Sequence, residues 1–157
     1  MLSPGESALD RAQRYADSKN ITIQTDFGAG VDGCVFATNQ LTAIKAFHFG
    51  KLYRQELEIY LYLKEWNISE VAGFSIPRLI GHDPTLAVIE MTVVTPPYVL
   101  DFVTARIEVP IEYDEEWIAK REEEYEEDWP IVRRLMAGML SHGIYLYDVA
   151  PRNVRCR

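Results

Sequence analysis

Apolar and polar residues alternate along this chain in two different periods, and the changes of period divide it into elements. Residues 6–18 place Leu9, Ala12, Tyr15 and Ala16 at helical spacing behind the capping candidates Ser3 and Pro4, which predicts a first helix. Residues 21–25 alternate strictly, as a half-buried strand does. A turn rich in glycine follows (Gly28, Gly30, Gly33), and residues 34–38 resume the extended pattern. Asn39-Gln40 make a tight turn into a third strand, residues 41–47. Three strands joined by short turns predict an antiparallel meander. Residues 51–66 then return to helical spacing, with Leu52, Glu56, Ile59, Tyr60 and Leu63 on one face. Glu56 is the only polar member of that face.

Two further short strands are predicted at 78–81 and 86–91, around the turn His82-Asp83-Pro84. Thr95-Pro96-Pro97 breaks regular structure, and a short helix is expected over 98–105. Residues 112–128 carry ten carboxylates against Lys120 and Arg121. Such a run reads first as a solvated helix face. Its apolar residues Trp117, Ile118, Tyr125 and Trp129 could dock that helix on the body, and its acidic side is a possible surface for a protein partner. Pro130 suits the first turn of a new helix. Ile131, Leu135, Met139 and Leu140 form the expected stripe of that helix, which ends at His142-Gly143. No internal repeat or low-complexity linker marks a boundary other than the Thr95-Pro96-Pro97 hinge.

Composition narrows the function classes. The 157 residues are about half apolar and a quarter charged, the balance of a globular protein with a core. A net charge of -8 argues against non-specific nucleic-acid binding, which needs a basic face. No apolar run approaches the roughly 20 residues of a membrane span. The first residues lack a charged-then-apolar signal pattern. Cys34 and Cys156 stand far apart with no clustered ligands, which argues against zinc and suits a reducing compartment. The expectation from these features is a cytoplasmic protein; its oligomeric state is not readable.

Candidate chemistry lies in four places. Gly28-Ala29-Gly30-Val31-Asp32-Gly33-Cys34-Val35 spells G-x-G-x-x-G-x-V between two strands. A dinucleotide-binding turn would run from strand into helix, whereas Val35 continues as strand, and a plain hairpin turn explains the glycines as well. Ala43-Ile44-Lys45 places an ammonium in an apolar strand, where it needs an anion. Glu56 can supply one; Glu58 is its rival, and the apolar face favours Glu56. Val88-Ile89-Glu90-Met91 ends a buried strand ahead of Pro96-Pro97. The segment from His142 to Val154 (HGIYLYDVAPRNV) carries Asp148 and Asn153 five residues apart. Either residue alone could be turn chemistry.

Taken in order, these segments resemble the protein-kinase-like superfamily over about residues 21–157. The last segment is similar to the family string H-G-I-x-H-R-D-L-K-P-E-N-I, and Ala43-Ile44-Lys45 to V-A-I-K with Thr42 in first place. The resemblance implies an α+β fold: a five-stranded antiparallel sheet with one packed helix, then a small helical part. It implies a nucleotide-binding lobe with an N-terminal helix over residues 1–95, and a reduced helical part with the catalytic loop over 96–157. ATP and Mg2+ are the implied cofactors. Gly28, Gly30, Gly33 and Val35 would cover the phosphates, Lys45 and Glu56 would set them, and Ala43 would line the same site. Ile89 would guard a back pocket, with Glu90 and Met91 contacting adenine. Asp148 would orient a hydroxyl, Asn153 would bind the metal, and Arg152 would stand near the transferred phosphate.

The sequence departs from the family pattern as well. Leu146-Tyr147 replace the His-Arg before the aspartate, and Ala150 replaces a lysine. No D-F-G follows the catalytic loop; Asp26-Phe27-Gly28 spells it, but ahead of the glycine turn, and reads as coincidence. Three functional readings stand. One is a compact phosphotransferase that moves the ATP γ-phosphate to a hydroxyl. Another is an inactive pseudokinase that senses nucleotide or binds a protein. The third is a structural or interaction module without nucleotide, against which the joint presence of Lys45, Glu56, Asp148 and Asn153 argues.

Overall fold

A computed structural model describes residues 2–157. In chain order the first elements are α1 (Ala8–Lys19), β1 (Ile23–Ala29), β2 (Gly33–Thr38), β3 (Thr42–Phe47) and α2 (Gly50–Glu65). Then come β4 (Glu70–Val71), β5 (Phe74–Ser75), β6 (Leu79–Asp83), β7 (Val88–Thr92), β8 (Tyr98–Val99) and β9 (Arg106–Ile107). The last are α3 (Glu115–Tyr125), α4 (Trp129–Ser141), β10 (Ile144–Tyr145) and β11 (Val154–Arg155), with a 3-10 turn at Glu126–Asp128. The fold is α+β. It divides into two units, residues 1–61 with 78–93 and residues 62–77 with 94–157. No described helix is long and apolar enough to cross a membrane.

The first unit is built on a five-stranded antiparallel sheet in the order β1-β2-β3-β7-β6. Its register sorts the side chains onto two faces, because residues paired across an antiparallel sheet point the same way. Phe36, Ile44 and Ala46 lie on one face with Val88, and the buried Ala12, Tyr15 and Ala16 of α1 pack on them. Lys45, Phe47, Ile89 and Met91 belong to the other face, which meets α2 through Lys45–Glu56, Phe47–Tyr53 and Tyr60–Met91. The sheet thus carries a helix on each face.

Local chemistry explains where α1 sits. Its cap is Ser7, not Ser3: the Asp10 amide donates to Ser7 Oγ at 3.0 Å, and the Ser7 amide donates to Asp10 Oδ2 at 3.1 Å. The expected stripe holds at Ala12, Tyr15 and Ala16, which are buried, whereas Leu9 is exposed and Arg11 is buried beside them. Arg11 donates to the carbonyls of Leu86 at 2.6 Å and Phe47 at 2.7 Å, which ties the helix to the end of β3 and to the turn before β7.

The second unit holds two small sheets, β11-β8-β5-β4 and β10-β9, with α3 and α4. Residues 98–105 are not helical. Tyr98 and Val99 pair with Arg155 and Val154, and Tyr98 also pairs with Ser75, so these backbone groups serve strands instead. The Asp101 carboxylate then accepts the Val103 amide at 2.9 Å and turns the chain. The acidic helix begins where Asp114 caps the Trp117 amide at 2.7 Å. Most of its carboxylates face solvent, as does Ile118, whereas Tyr125 and Trp129 are buried. Pro130 lies in the first turn of α4, whose buried stripe is Trp129, Val132, Leu135 and Met139; Leu140 is exposed. Both cysteines are free thiols.

Candidate functional site

Lys45 sits at the centre of the first unit's sheet. Its ammonium lies 2.6 Å from Glu56 Oε2 and 4.8 Å from the centroid of the Phe47 ring. Glu56 is fully buried and Lys45 nearly so. Two charges taken this far from water are tolerated when they face each other with good geometry, and here they do. Register adds neighbours. Val35 pairs with Lys45 and Lys45 with Ile89, forming one row across three strands; Ala43 and Met91 form the next row. Five of the expected residues, Val35, Ala43, Lys45, Ile89 and Met91, therefore share one face with the Glu56 partner.

Glu90 does not share it. Its side chain points to the α1 face, where Thr42 donates to Oε1 at 2.6 Å and Tyr15 donates to Oε2 at 3.0 Å. Because the Thr42 hydroxyl donates to Glu90, the Thr38 hydroxyl must donate to Thr42, 2.7 Å away. Burial, followed by the charge of Glu90, drives the Tyr15 phenol well above its ordinary range, so it stays a donor. Gly81 leaves the space that the Tyr15 hydroxyl fills, since a Cβ there would lie 2.4 Å from it. Nothing in the sequence pattern signals this network: Thr42 and Tyr15 look like ordinary strand and helix residues.

The three glycines play different parts. Gly33 is held by its partner strand: a Cβ there would lie 2.3 Å from the Ala46 carbonyl oxygen. Gly28 has a φ of 131°, beyond the reach of most side chains, and its amide donates to Asp26 Oδ1 at 2.6 Å. Gly30 stands in open space, with its amide donating to the Gly33 carbonyl at 2.9 Å. Asp26-Phe27-Gly28 is thus a local turn at a bulge in β1, where register shifts between Asp26 and Gly28. The amides of Gly28 and Gly30 are engaged within the turn itself.

Asp148, Arg152 and Asn153 come together in the second unit. Asn153 Nδ2 donates to Asp148 Oδ2 at 2.7 Å, and Arg152 donates to the same oxygen at 3.3 Å. Both contacts fall on Oδ2. The Asp148 amide donates to Thr104 Oγ1 at 3.2 Å, and the Asn153 amide to the Ala150 carbonyl at 2.8 Å. Asp148 lies in a groove of roughly 430 Å³ walled by Thr104, Trp117, Lys120, Arg121 and Tyr147. Arg152 is largely exposed, so its ion pair contributes little to stability.

These residues fit the implied cofactors in kind. Mg2+ takes one or two carboxylates and completes its shell with water and phosphate oxygens. Asn153, with its amide nitrogen turned to Asp148, would offer its carbonyl oxygen. Among the described residues no three of His, Cys, Asp or Glu cluster as a metal cage. Lys45, with its anion partner beside it, suits a phosphate oxygen.

No protein-family model matches the sequence, and no curated protein matches it. Among solved structures, the chain is similar to the streptomycin-ATP-APH(2")-IIa ternary complex, with 14% identity and a TM-score of 0.45 over 82% of this chain and 39% of that one. It is similar to the gentamicin-APH(2")-IIa complex at 14% identity and a TM-score of 0.48, over 87% of this chain and 40% of the other. It is also similar to the ADP-bound aminoglycoside phosphotransferase APH(2'')-Ib, at 15% identity and a TM-score of 0.46, over 82% and 39%. The chain spans less than half the length of each of these proteins.

Proposed function

We propose that this chain is a kinase-like ATP-binding protein that moves the γ-phosphate to a hydroxyl acceptor. The observation that carries the proposal is the buried Lys45–Glu56 pair at 2.6 Å, set in a row with Val35 and Ile89. A structural ion pair in that place would serve no better than two apolar residues of the same size. Lys45 holds a fixed positive charge for phosphate oxygens, with Glu56 fixing its direction. Val35, Ala43, Ile89 and Met91 give the apolar wall against which a purine ring would pack. Asp148 orients the acceptor hydroxyl through Oδ1 and receives its proton, while Asn153 would hold Mg2+ through its carbonyl oxygen. ATP, when bound, supplies the phosphoryl group, and the metal offsets its charge; the protein's part is positioning and electrostatics.

The test is ADP formation from Mg-ATP by the wild type and by Asp148→Asn. The proposal expects measurable turnover that falls at least 100-fold in the variant, with nucleotide binding retained. Binding without turnover in the wild type would instead support the pseudokinase reading. Turnover unchanged in Asp148→Asn would remove Asp148 from the role of base.

A further inference from the structure

The two functional residues of the second unit, Asp148 and Asn153, each stand one position before a backbone carbonyl that the same hydroxyl touches. Tyr125 Oη donates to the Val149 carbonyl and lies 2.8 Å from the Val154 carbonyl. A phenol has one proton, so the two carbonyls share it as a bifurcated bond. The loop between them is otherwise exposed at Pro151 and Arg152, while Val149 and Val154 are buried. A second tyrosine acts just upstream, where Tyr113 Oη donates to the Leu146 carbonyl. Both rings come from the segment that contains the acidic helix α3.

We propose that Tyr125 is a positioning residue: its hydroxyl fixes the spacing of the Val149 and Val154 peptides, and so holds Asp148 and Asn153 in register. Tyr113 pins the entry to the same loop. The inference rests on the reading of Asp148 as the base, although its structural half stands without it. It gives the acidic segment a second task. The carboxylates of α3 face solvent, and its inward residues brace the loop that bears the chemistry.

Three features support this assignment over simple core filling. A buried phenylalanine would fill the same space without a polar atom, yet both positions carry hydroxyls aimed at loop carbonyls. The Tyr125 ring is already fixed by stacking on Trp129, with centroids 6.3 Å apart and planes at 23°, so its oxygen is held in place. Burial raises the Tyr125 phenol well above its ordinary range and pushes Tyr113 up to about 12, which keeps both protonated as donors across the physiological range.

Tyr125→Phe keeps the ring and removes only the donor, and Tyr113→Phe does the same upstream. Both are compared with wild type in the full chain by amide hydrogen exchange and by ADP formation from Mg-ATP. For Tyr125→Phe, exchange at residues 148–154 is expected to quicken about tenfold while β3 and β7 stay unchanged. The kcat is expected to fall about tenfold or more at an unchanged KM for ATP. Faster exchange spread evenly over the whole chain would show a merely structural residue and overturn the proposal. So would an unchanged loop, or an altered loop with an unchanged kcat. If the wild type forms no ADP, the failure belongs to the proposed activity. The exchange arm then decides the positioning claim alone: change confined to 148–154 supports it, and no change overturns it. Tyr113→Phe is expected to act on residues 145–148, and its outcome is read the same way should Tyr125→Phe not fold.

Discussion

The ammonium of Lys45 and the carboxylate of Glu56 meet at 2.6 Å in a place where the carboxylate has no exposure to water. An ion pair so placed is expensive to break from one side and cheap to replace from both. Glu56→Leu leaves a buried ammonium, and Lys45→Met leaves a buried carboxylate. Each single variant is expected to lose about 3–5 kcal/mol of stability in urea unfolding, and the double variant to recover most of it. Simple additivity of the two losses would contradict this view of the pair.

The glycine turn gives a contrast that separates architecture from ligand approach. At Gly33 a Cβ would press on the backbone of Ala46 and Phe47, which cannot move without opening the β2–β3 ladder. Gly33→Ala is expected to cost about 2 kcal/mol or more. At Gly30 a Cβ would meet nothing within 4 Å, so Gly30→Ala is expected to stay within about 0.5 kcal/mol of wild type. Thermal unfolding of the two variants checks both; equal losses would mean that the turn is not built as described.

Gly81 and Tyr15 are coupled through space. Gly81→Ala puts a methyl 2.4 Å from the Tyr15 hydroxyl, which bonds Glu90. The expected loss is about 1–3 kcal/mol in the wild-type background. It is expected to shrink by at least half in the Tyr15→Phe background, where the clashing oxygen is gone. A double-mutant cycle with no coupling would refute the arrangement.

How much of this was legible depends on what kind of signal each residue leaves. The β2–β3 meander and the α2 face were readable because several side chains repeat one period, and Glu56 stood out as the polar exception on that face. Asp148 and Asn153 were readable from their spacing within one string. The strands β4, β5 and β8 have two residues each and cannot show a period. Val99 also takes its partner, Val154, from the far end of the chain. The face to which Glu90 points follows from its register against Ile44, which spacing within β7 alone does not reveal. Tyr125 counted as an apolar residue in the sequence pattern, and only the position of Val149 and Val154 gives its hydroxyl a purpose.

Acid sensitivity has a local source at Asp83. Burial alone would raise this carboxyl; hydrogen bonds from the Thr85 hydroxyl and the Leu86 and Thr85 amides, with the charge of Arg14, outweigh that and hold it below its ordinary value. A folded-state pKa below the unfolded one contributes stability that is complete above the unfolded value, about 3.9, and fades as pH falls through the folded value. Stability is therefore expected to drop below about pH 4. Asp83→Asn is expected to lower stability at pH 7 and flatten that part of the profile, as urea midpoints at several pH values would register. A profile as steep in the variant as in wild type would assign the acid loss elsewhere.

The most direct test of the account is thermal unfolding with and without Mg-ATP, in wild type and in Lys45→Ala. A ligand that binds only the folded chain stabilises it by about 2.7 kcal/mol at a hundred times its dissociation constant, which for a chain of this size raises the Tm by roughly 5–10 °C. That rise is expected in wild type, is expected to vanish when EDTA removes the metal, and is expected to be small or absent in Lys45→Ala. No rise in wild type at millimolar Mg-ATP, or an equal rise in Lys45→Ala, would contradict the assignment of Lys45 and Glu56 to a nucleotide.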